Sequence, residues 1–179
     1  MRWVQYLVGG KMTRNKENAL IILGVKHSGK TTFGSYLSEL FGLPFFDLDK
    51  IIEQNVNMAV RQYYLQNGKD AFQNAEYEAC KSVFENNKGA FVLATGGGIC
   101  DNSKALSLLN GYKLMLDTSE DICFERVKQN ALETGSYPAY ITNKNPSNED
   151  EIRSIFHEFY KKRRIEYLKL ADKVVEWVS

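Results

Sequence analysis

The chain has 179 residues, 44% of them hydrophobic and 25% charged, which is enough apolar content for one compact domain with a substantial core. A formal net charge of +1 offers no basic field to a polyanion and argues against nucleic acid as a partner. Cys80, Cys100 and Cys123 are odd in number and fit neither a disulfide framework nor a zinc-ligand spacing, so they read as reduced thiols of a cytoplasmic protein.

Residues 1–18 read as an N-terminal extension to a single domain over 19–179. The apolar patch in Met1–Val8 is too short for a membrane span and lacks a cleavage site, and no other stretch reaches the roughly 18 apolar residues that a spanning helix needs. Neither a signal peptide nor a membrane partner is expected. The polar run from Met12 to Asn18 makes Met12 an alternative start.

The apolar stretch 19–23 predicts a buried strand, and it feeds directly into Gly24-Val25-Lys26-His27-Ser28-Gly29-Lys30-Thr31. Between two glycines the backbone can turn its N–H groups onto a polyphosphate, Lys30 adds a mobile charge, and the Thr31 hydroxyl can ligate Mg²⁺. Apolar residues at 33, 37, 40 and 41 predict a helix over 31–41 whose N-terminus faces those phosphates. Gly24, Ser28, Gly29, Lys30, Thr31 and Thr32 are therefore the candidate nucleotide contacts. His27, within the loop, is expected to point outward.

A second strand over 44–46 ends in Asp47-Leu48-Asp49. At a parallel strand's carboxyl end, one carboxylate can hold a Mg²⁺-bound water while the other takes a proton from a substrate hydroxyl. The alternative use of Asp49 is to cap the helix beginning at Lys50. Helices are predicted over 48–57, 58–67, 69–87, 102–110, 119–131 and 149–169, with Gly42, Gly68, Gly89 and Gly111 as stops, and strands over 90–94, 112–116 and 173–177.

Thr95-Gly96-Gly97-Gly98 follows the third strand, where side-chain-free backbone lets a ligand approach. Cys100, just beyond, is expected to be a small buried residue rather than a reactive one. The polar segment around 132–150, with Gly135, Pro138 and Pro146, reads as a mobile flap. In the basic cluster Lys161-Lys162-Arg163-Arg164, a solvated helix face is the commoner role, although one arginine could turn inward onto an anion. The alternation of strands and helices predicts an α/β fold, a five-stranded parallel sheet with helices on both faces.

Taken in order, the loop Gly24–Thr31, Phe45–Asp49 with Ile51-Ile52-Glu53, Gly68–Glu76 around Phe72, Gly96–Gly98, Arg126, the flap and Arg164–Asp172 resemble the shikimate kinase family. The resemblance runs from about residue 19 to the C-terminus and implies a three-layer P-loop NTPase fold. It also implies ATP-dependent phosphorylation of a small carbocyclic acid, shikimate, within aromatic amino acid biosynthesis, by a monomer using ATP and Mg²⁺. By position, Lys30 and Asp49 become catalytic, and Thr31 and Asp47 organise Mg²⁺. Arg126 sits against the adenine, and Asp49, Gln73, Gly96, Gly97, Gly98 and Arg164 bind the substrate.

Two positions depart from the family: Gln73 stands where it carries a carboxylate-pairing arginine, and the flap reads Ser136-Tyr137-Pro138 without its arginine. The departures keep two other readings open, a kinase of the same fold acting on another polyol or metabolite, and a non-catalytic nucleotide-binding protein. A GTPase is not expected, since Asn143-Lys144-Asn145 lacks a guanine-reading aspartate.

Overall fold

Strands that are apolar on both faces need cover on both sides, and β1 (Ala19–Leu23) is buried at every residue. The computed structural model describes residues 19–177; the expected extension over 1–18 and the alternative start at Met12 lie outside the described residues. With β2 (Phe45–Asp47), β3 (Phe91–Ala94), β4 (Tyr112–Leu116) and β5 (Lys173–Val175), β1 forms a parallel sheet in the order β2-β3-β1-β4-β5.

Alternate side chains of β1 sort to opposite faces. Ala19, Ile21 and Leu23 pack with Ile52 of α2 (Leu48–Val56), Ala79 and Val83 of α3 (Val60–Asn86), Val127 of α5 (Glu120–Thr134) and Phe156 of α7 (Glu149–Leu170). Leu20 and Ile22 pack with Phe33 and Leu37 of α1 (Lys30–Phe41). The result is the expected three-layer arrangement, with β1, β2 and β3 all opening their carboxyl ends onto one crevice. Among the described residues no helix is long and apolar enough to cross a membrane.

Helix boundaries follow local chemistry. Gly68, at φ 80° and ψ −178°, breaks α3 where a stop was predicted, and the second half restarts at Lys69. The helix predicted over 102–110 is shorter: a 3₁₀ turn (Ile99–Asp101) precedes α4 (Ser103–Leu108), whose cap is the Asn102 side chain accepting from the Ala105 N–H at 3.1 Å. The helix α5 continues to Thr134, where Gly135 in the left-handed region ends it. The last predicted strand stops at Val175, and Trp177 turns onto α1 with its ring 4.9 Å from that of Phe33.

The segment expected to be a mobile flap carries helical structure and packed contacts. It contains α6 (Ala139–Thr142), where Ile141 is fully buried and Tyr140 stacks on Phe159 at 3.8 Å. Arg61 of α3 donates to the Ser136 carbonyl (3.2 Å), the Ser136 hydroxyl (2.9 Å) and the Tyr137 carbonyl (3.0 Å). The segment is polar on average, but the side chains of Tyr140 and Ile141 and the guanidinium of Arg61 set its position.

Candidate active site

The loop between β1 and α1 is shaped from outside. Thr118 Oγ1 donates to the Ser28 carbonyl at 2.7 Å and Arg126 donates to the His27 carbonyl at 3.1 Å. Pinning those carbonyls outward leaves the following N–H groups, and the free first-turn N–H groups of α1, to face a ligand. Gly24 lies at φ 154°, and a Cβ there would meet Ser28 Oγ at 2.8 Å and the Leu116 carbonyl at 2.9 Å, so only glycine fits. Ser28 is buried, and Thr31 and Thr32 occupy the first turn of α1, which Gly29 caps in a left-handed conformation. The Lys30 ammonium folds back onto the carbonyls of Gly24 (3.1 Å) and Val25 (2.9 Å).

His27 corrects its expectation. Its backbone is left-handed at φ 66°, and Nε2 is buried without a partner among the described residues instead of reaching outward. Burial, reinforced by Lys26, Lys30 and Arg126, holds the imidazole down at about 4, so the ring is neutral at physiological pH.

The two aspartates divide their duties. Asp47, not Asp49, caps α2: its Oδ1 accepts from the N–H groups of Asp49 (3.1 Å) and Lys50 (3.3 Å). Its Oδ2 accepts from the Thr31 hydroxyl at 2.6 Å, which forms a pair of hard oxygens beside the phosphate loop. Asp49 is thereby freed to line a cavity of about 290 Å³. Burial raises its pKa while Lys30 pulls it back down.

Gly96 lies against this carboxylate. A Cβ at Gly96 would be 2.9 Å from Asp49 Oδ1 and 3.1 Å from Glu76 Oε1, so two carboxyl groups converge on bare backbone. Glu76 is 1% exposed, its Oε2 accepts from Asn102 Nδ2 at 2.9 Å, and its Oε1 has no partner among the described residues. Burial lifts its pKa to about 7. A Cβ at Gly97 would come within 2.9 Å of the Lys26 backbone, whereas at Gly98 it would meet nothing within 4 Å. All three glycines line the cavity, but only the first two are sterically required.

The arginine assigned to this cavity is a neighbour of the expected one. The inward stripe of α7 is Phe156, Tyr160, Arg163 and Tyr167, spaced by four, three and four residues. Arg163 lies on that stripe and lines the cavity with a guanidinium that holds Asp101, Glu166 (2.9 Å) and Cys100 Sγ (3.2 Å). Arg164 is about 100° further round the helix and pairs in bidentate fashion with Asp117 at 2.8 and 2.7 Å, with 42% of its side chain exposed. Gln73 lines the cavity, but its amide is committed to the Asp101 carbonyl at 2.8 Å. Cys100 is half-buried and burial raises its thiol, as expected of an inert residue.

Arg126 borders the loop, with Nη1 3.2 Å from where a Cβ on Gly29 would stand and the Trp177 ring 4.0 Å from the same point. Sequence reading also gave no role to Lys26, Arg61, Lys69, Glu76 and Trp177. The buried aromatic stripe of α7 was the available signal for Arg163; Arg61 and Trp177 are placed by tertiary packing and had none.

The sequence profile described as shikimate kinase matches residues 26–177. The chain belongs to the shikimate kinase family. A shikimate kinase of a Marinomonas species is 41% identical over 97 residues, covering 54% of this chain and 53% of that protein. One from Aquifex aeolicus is 31% identical over 157 residues, covering 87% and 84%. A solved shikimate kinase from Acinetobacter baumannii, in complex with shikimate, superposes with a TM-score of 0.70 at 22% identity over 92% of this chain and 86% of that one, a likeness of fold. The chain spans about half to two thirds of the length of the first curated relatives it matches.

Proposed function

We propose that the protein transfers the γ-phosphoryl group of ATP to a hydroxyl of shikimate, giving shikimate 3-phosphate and ADP, in the reducing cytoplasm where its free thiols persist. The observation that carries this reading is Asp49: released from capping by Asp47, it lies against Gly96 in a cavity adjoining the loop that bears Lys30.

The polyphosphate rests on the loop N–H groups and the start of α1, and Lys30 leaves the carbonyls of Gly24 and Val25 for the phosphate oxygens. Arg126 and Trp177 flank the loop on the side assigned to the adenine. Thr31 and Asp47 fit Mg²⁺, which favours a few hard oxygens and fills its remaining positions with water and phosphate, so these two residues would hold it. Bound there, Mg²⁺ would neutralise charge on the phosphates. The substrate hydroxyl is held by Asp49 above Gly96. As its oxygen attacks phosphorus and the bond to ADP breaks, its proton passes to Asp49, whose raised pKa makes it the better base. The substrate carboxylate is read at the far end by Arg163 and by Lys69, which lines the cavity and has no ion pair among the described residues.

A coupled ADP-release assay with Mg-ATP and shikimate, beside a panel of polyols and sugar acids, tests the reading. Shikimate-dependent release is the expected result. The occupied guanidinium of Arg163 and the neutral Gln73 favour a less acidic polyol as the second reading, and release with such a compound alone would establish it. No release with any acceptor would point to a nucleotide-binding protein.

A further inference from the structure

Charge neutralisation is the main demand of phosphoryl transfer, so every cation around the cavity has to be accounted for. Arg163 is paired with Asp101 and Glu166, Arg61 is spent on the carbonyls of Ser136 and Tyr137, and Lys69 stands at the Asp101 end. The flap wall contributes Asn130, Pro138, Ala139 and Tyr140, none of them charged. Lys128, at the base of that wall, is held by Glu149 at 2.6 Å. The flap residues that line the cavity therefore bring it no positive charge.

Lys26 is placed to supply it. Its own backbone is pressed against Gly97, where a side chain would come within 2.9 Å of both its Cα and Cβ, so the phosphate loop is docked onto the glycine triplet at this residue. From there its side chain lines the acceptor cavity, close enough to feel Asp49 and Arg61 and to be felt by Lys30. Its charged neighbours thus include both the residue assigned to the attacking hydroxyl and the lysine assigned to the phosphates. Its ammonium has no hydrogen bond or ion pair among the described residues, in contrast to Lys30 with its two carbonyls.

We propose that Lys26 is a second catalytic lysine, which contacts the oxygens of the phosphoryl group as it crosses from ATP to the acceptor. The inference rests on the kinase reading above. It does not depend on which acceptor is used, because the group contacted is the phosphoryl itself. A cation engaged only while that group is in transit lowers the barrier and leaves ground-state binding unchanged.

The test compares wild type, Lys26→Met and Lys26→Arg in two measurements. The first is steady-state turnover with shikimate; the second is binding of Mg-ADP alone and of Mg-ADP with aluminium fluoride, a mimic of the transferring group that needs no knowledge of the acceptor. Lys26→Met should lower kcat about 10- to 100-fold, the size of one charge-assisted hydrogen bond, with KM for ATP and shikimate changed little. It should weaken the aluminium fluoride complex by a similar factor while binding Mg-ADP normally, which also shows that the variant is folded. Lys26→Arg should recover much of both losses. Unchanged affinity for the aluminium fluoride complex, or a raised KM for shikimate at unchanged kcat, would overturn the inference. A weakened complex in a protein whose wild type ignores shikimate would overturn the substrate and leave the role of Lys26 standing.

Discussion

The phosphate loop and the acceptor cavity touch at Gly97, yet they are held together differently. On the loop side the groups assigned to binding are mainly backbone N–H, set by one continuous segment from Gly24 to Thr32 and pinned by two side chains from outside, Thr118 and Arg126. On the cavity side the binding groups are side-chain charges delivered by separate elements: Lys26 from the loop, Asp49 from α2, Lys69 and Glu76 from α3, Arg163 from α7. A backbone cradle tolerates changes in side chains that do not enter it, which is why His27 can occupy a left-handed position there. A cavity made of charges is sensitive to each one, because every buried carboxyl or guanidinium changes the protonation and availability of the next.

The largest expected effect tests the loop side. Lys30→Ala removes the charge that the proposed function assigns to the phosphate oxygens whatever the acceptor is, and kcat should fall by about 10²–10³-fold, the loss typical of a transition-state donor. Single-turnover ADP release measures it, and turnover within a factor of two of wild type would disprove the assignment of this loop. On the cavity side the comparable steric test is Gly96→Ala, whose Cβ would press on Asp49 and Glu76. Overpacking of this kind costs about 1–3 kcal/mol in urea unfolding and should displace Asp49 enough to slow turnover. Gly98→Ala, with open space and φ −115°, should stay within about 0.5 kcal/mol of wild type.

The same contrast explains what could be read from the chain itself. The strands, the loop, the break at Gly68 and the Asp47/Asp49 pair are encoded by residues adjacent in sequence, and each was legible. The cap exchange between Asp47 and Asp49 needed only the knowledge that α2 begins at Leu48, two residues earlier than the alternative reading placed it. Arg163 was half legible: the family pattern drew attention to Arg164, while the spacing of Phe156, Tyr160 and Tyr167 puts its neighbour on the inward face. The flap was not legible as a packed segment, because its anchor is Arg61, far away in sequence on α3. The raised pKa of Glu76 was not legible either, since burial and not residue type determines it.

That raised carboxyl makes a pH prediction. Glu76 titrates near 7 in the fold and near 4.5 when unfolded, so the folded protein holds its proton across that window. Its contribution to stability is complete below about pH 4.5 and is lost as pH rises through 7. His27, at about 4 folded and 6.5 unfolded, works in the opposite direction: its contribution is present above 6.5 and lost as pH falls towards 4. Between pH 4.5 and 6.5 the two slopes, each on the order of 1 kcal/mol per pH unit, nearly cancel. Glu76→Gln should therefore unmask His27, so that stability rises with pH across this window while wild type stays nearly flat. Urea unfolding at three pH values shows the difference; parallel curves for the two proteins would mean that Glu76 is ionised in the fold.

The smallest expected effect decides between two adjacent arginines. Arg164 and Asp117 make a well-formed pair, but nearly half of the Arg164 side chain is in water, where the attraction is screened and two long side chains lose freedom on pairing. Arg164→Ala should cost at most about 1 kcal/mol of stability and leave KM for shikimate unchanged. Arg163 is different in kind: its side chain is 11% exposed, and removing it strands Asp101 and Glu166 beside the cavity. Asp101 and Glu166 are themselves 40% and 30% exposed, so water offsets part of the loss and the cost should be about 1–3 kcal/mol. Because the two residues share a helix, a backbone and a charge, any general effect of removing positive charge from α7 is common to both variants. A rise in KM for Arg164→Ala equal to that for Arg163→Ala would thus mean that the helix acts on the substrate as a distant field. A rise confined to Arg163→Ala would show that the inward stripe of α7, and not the basic cluster, is what reads the acid.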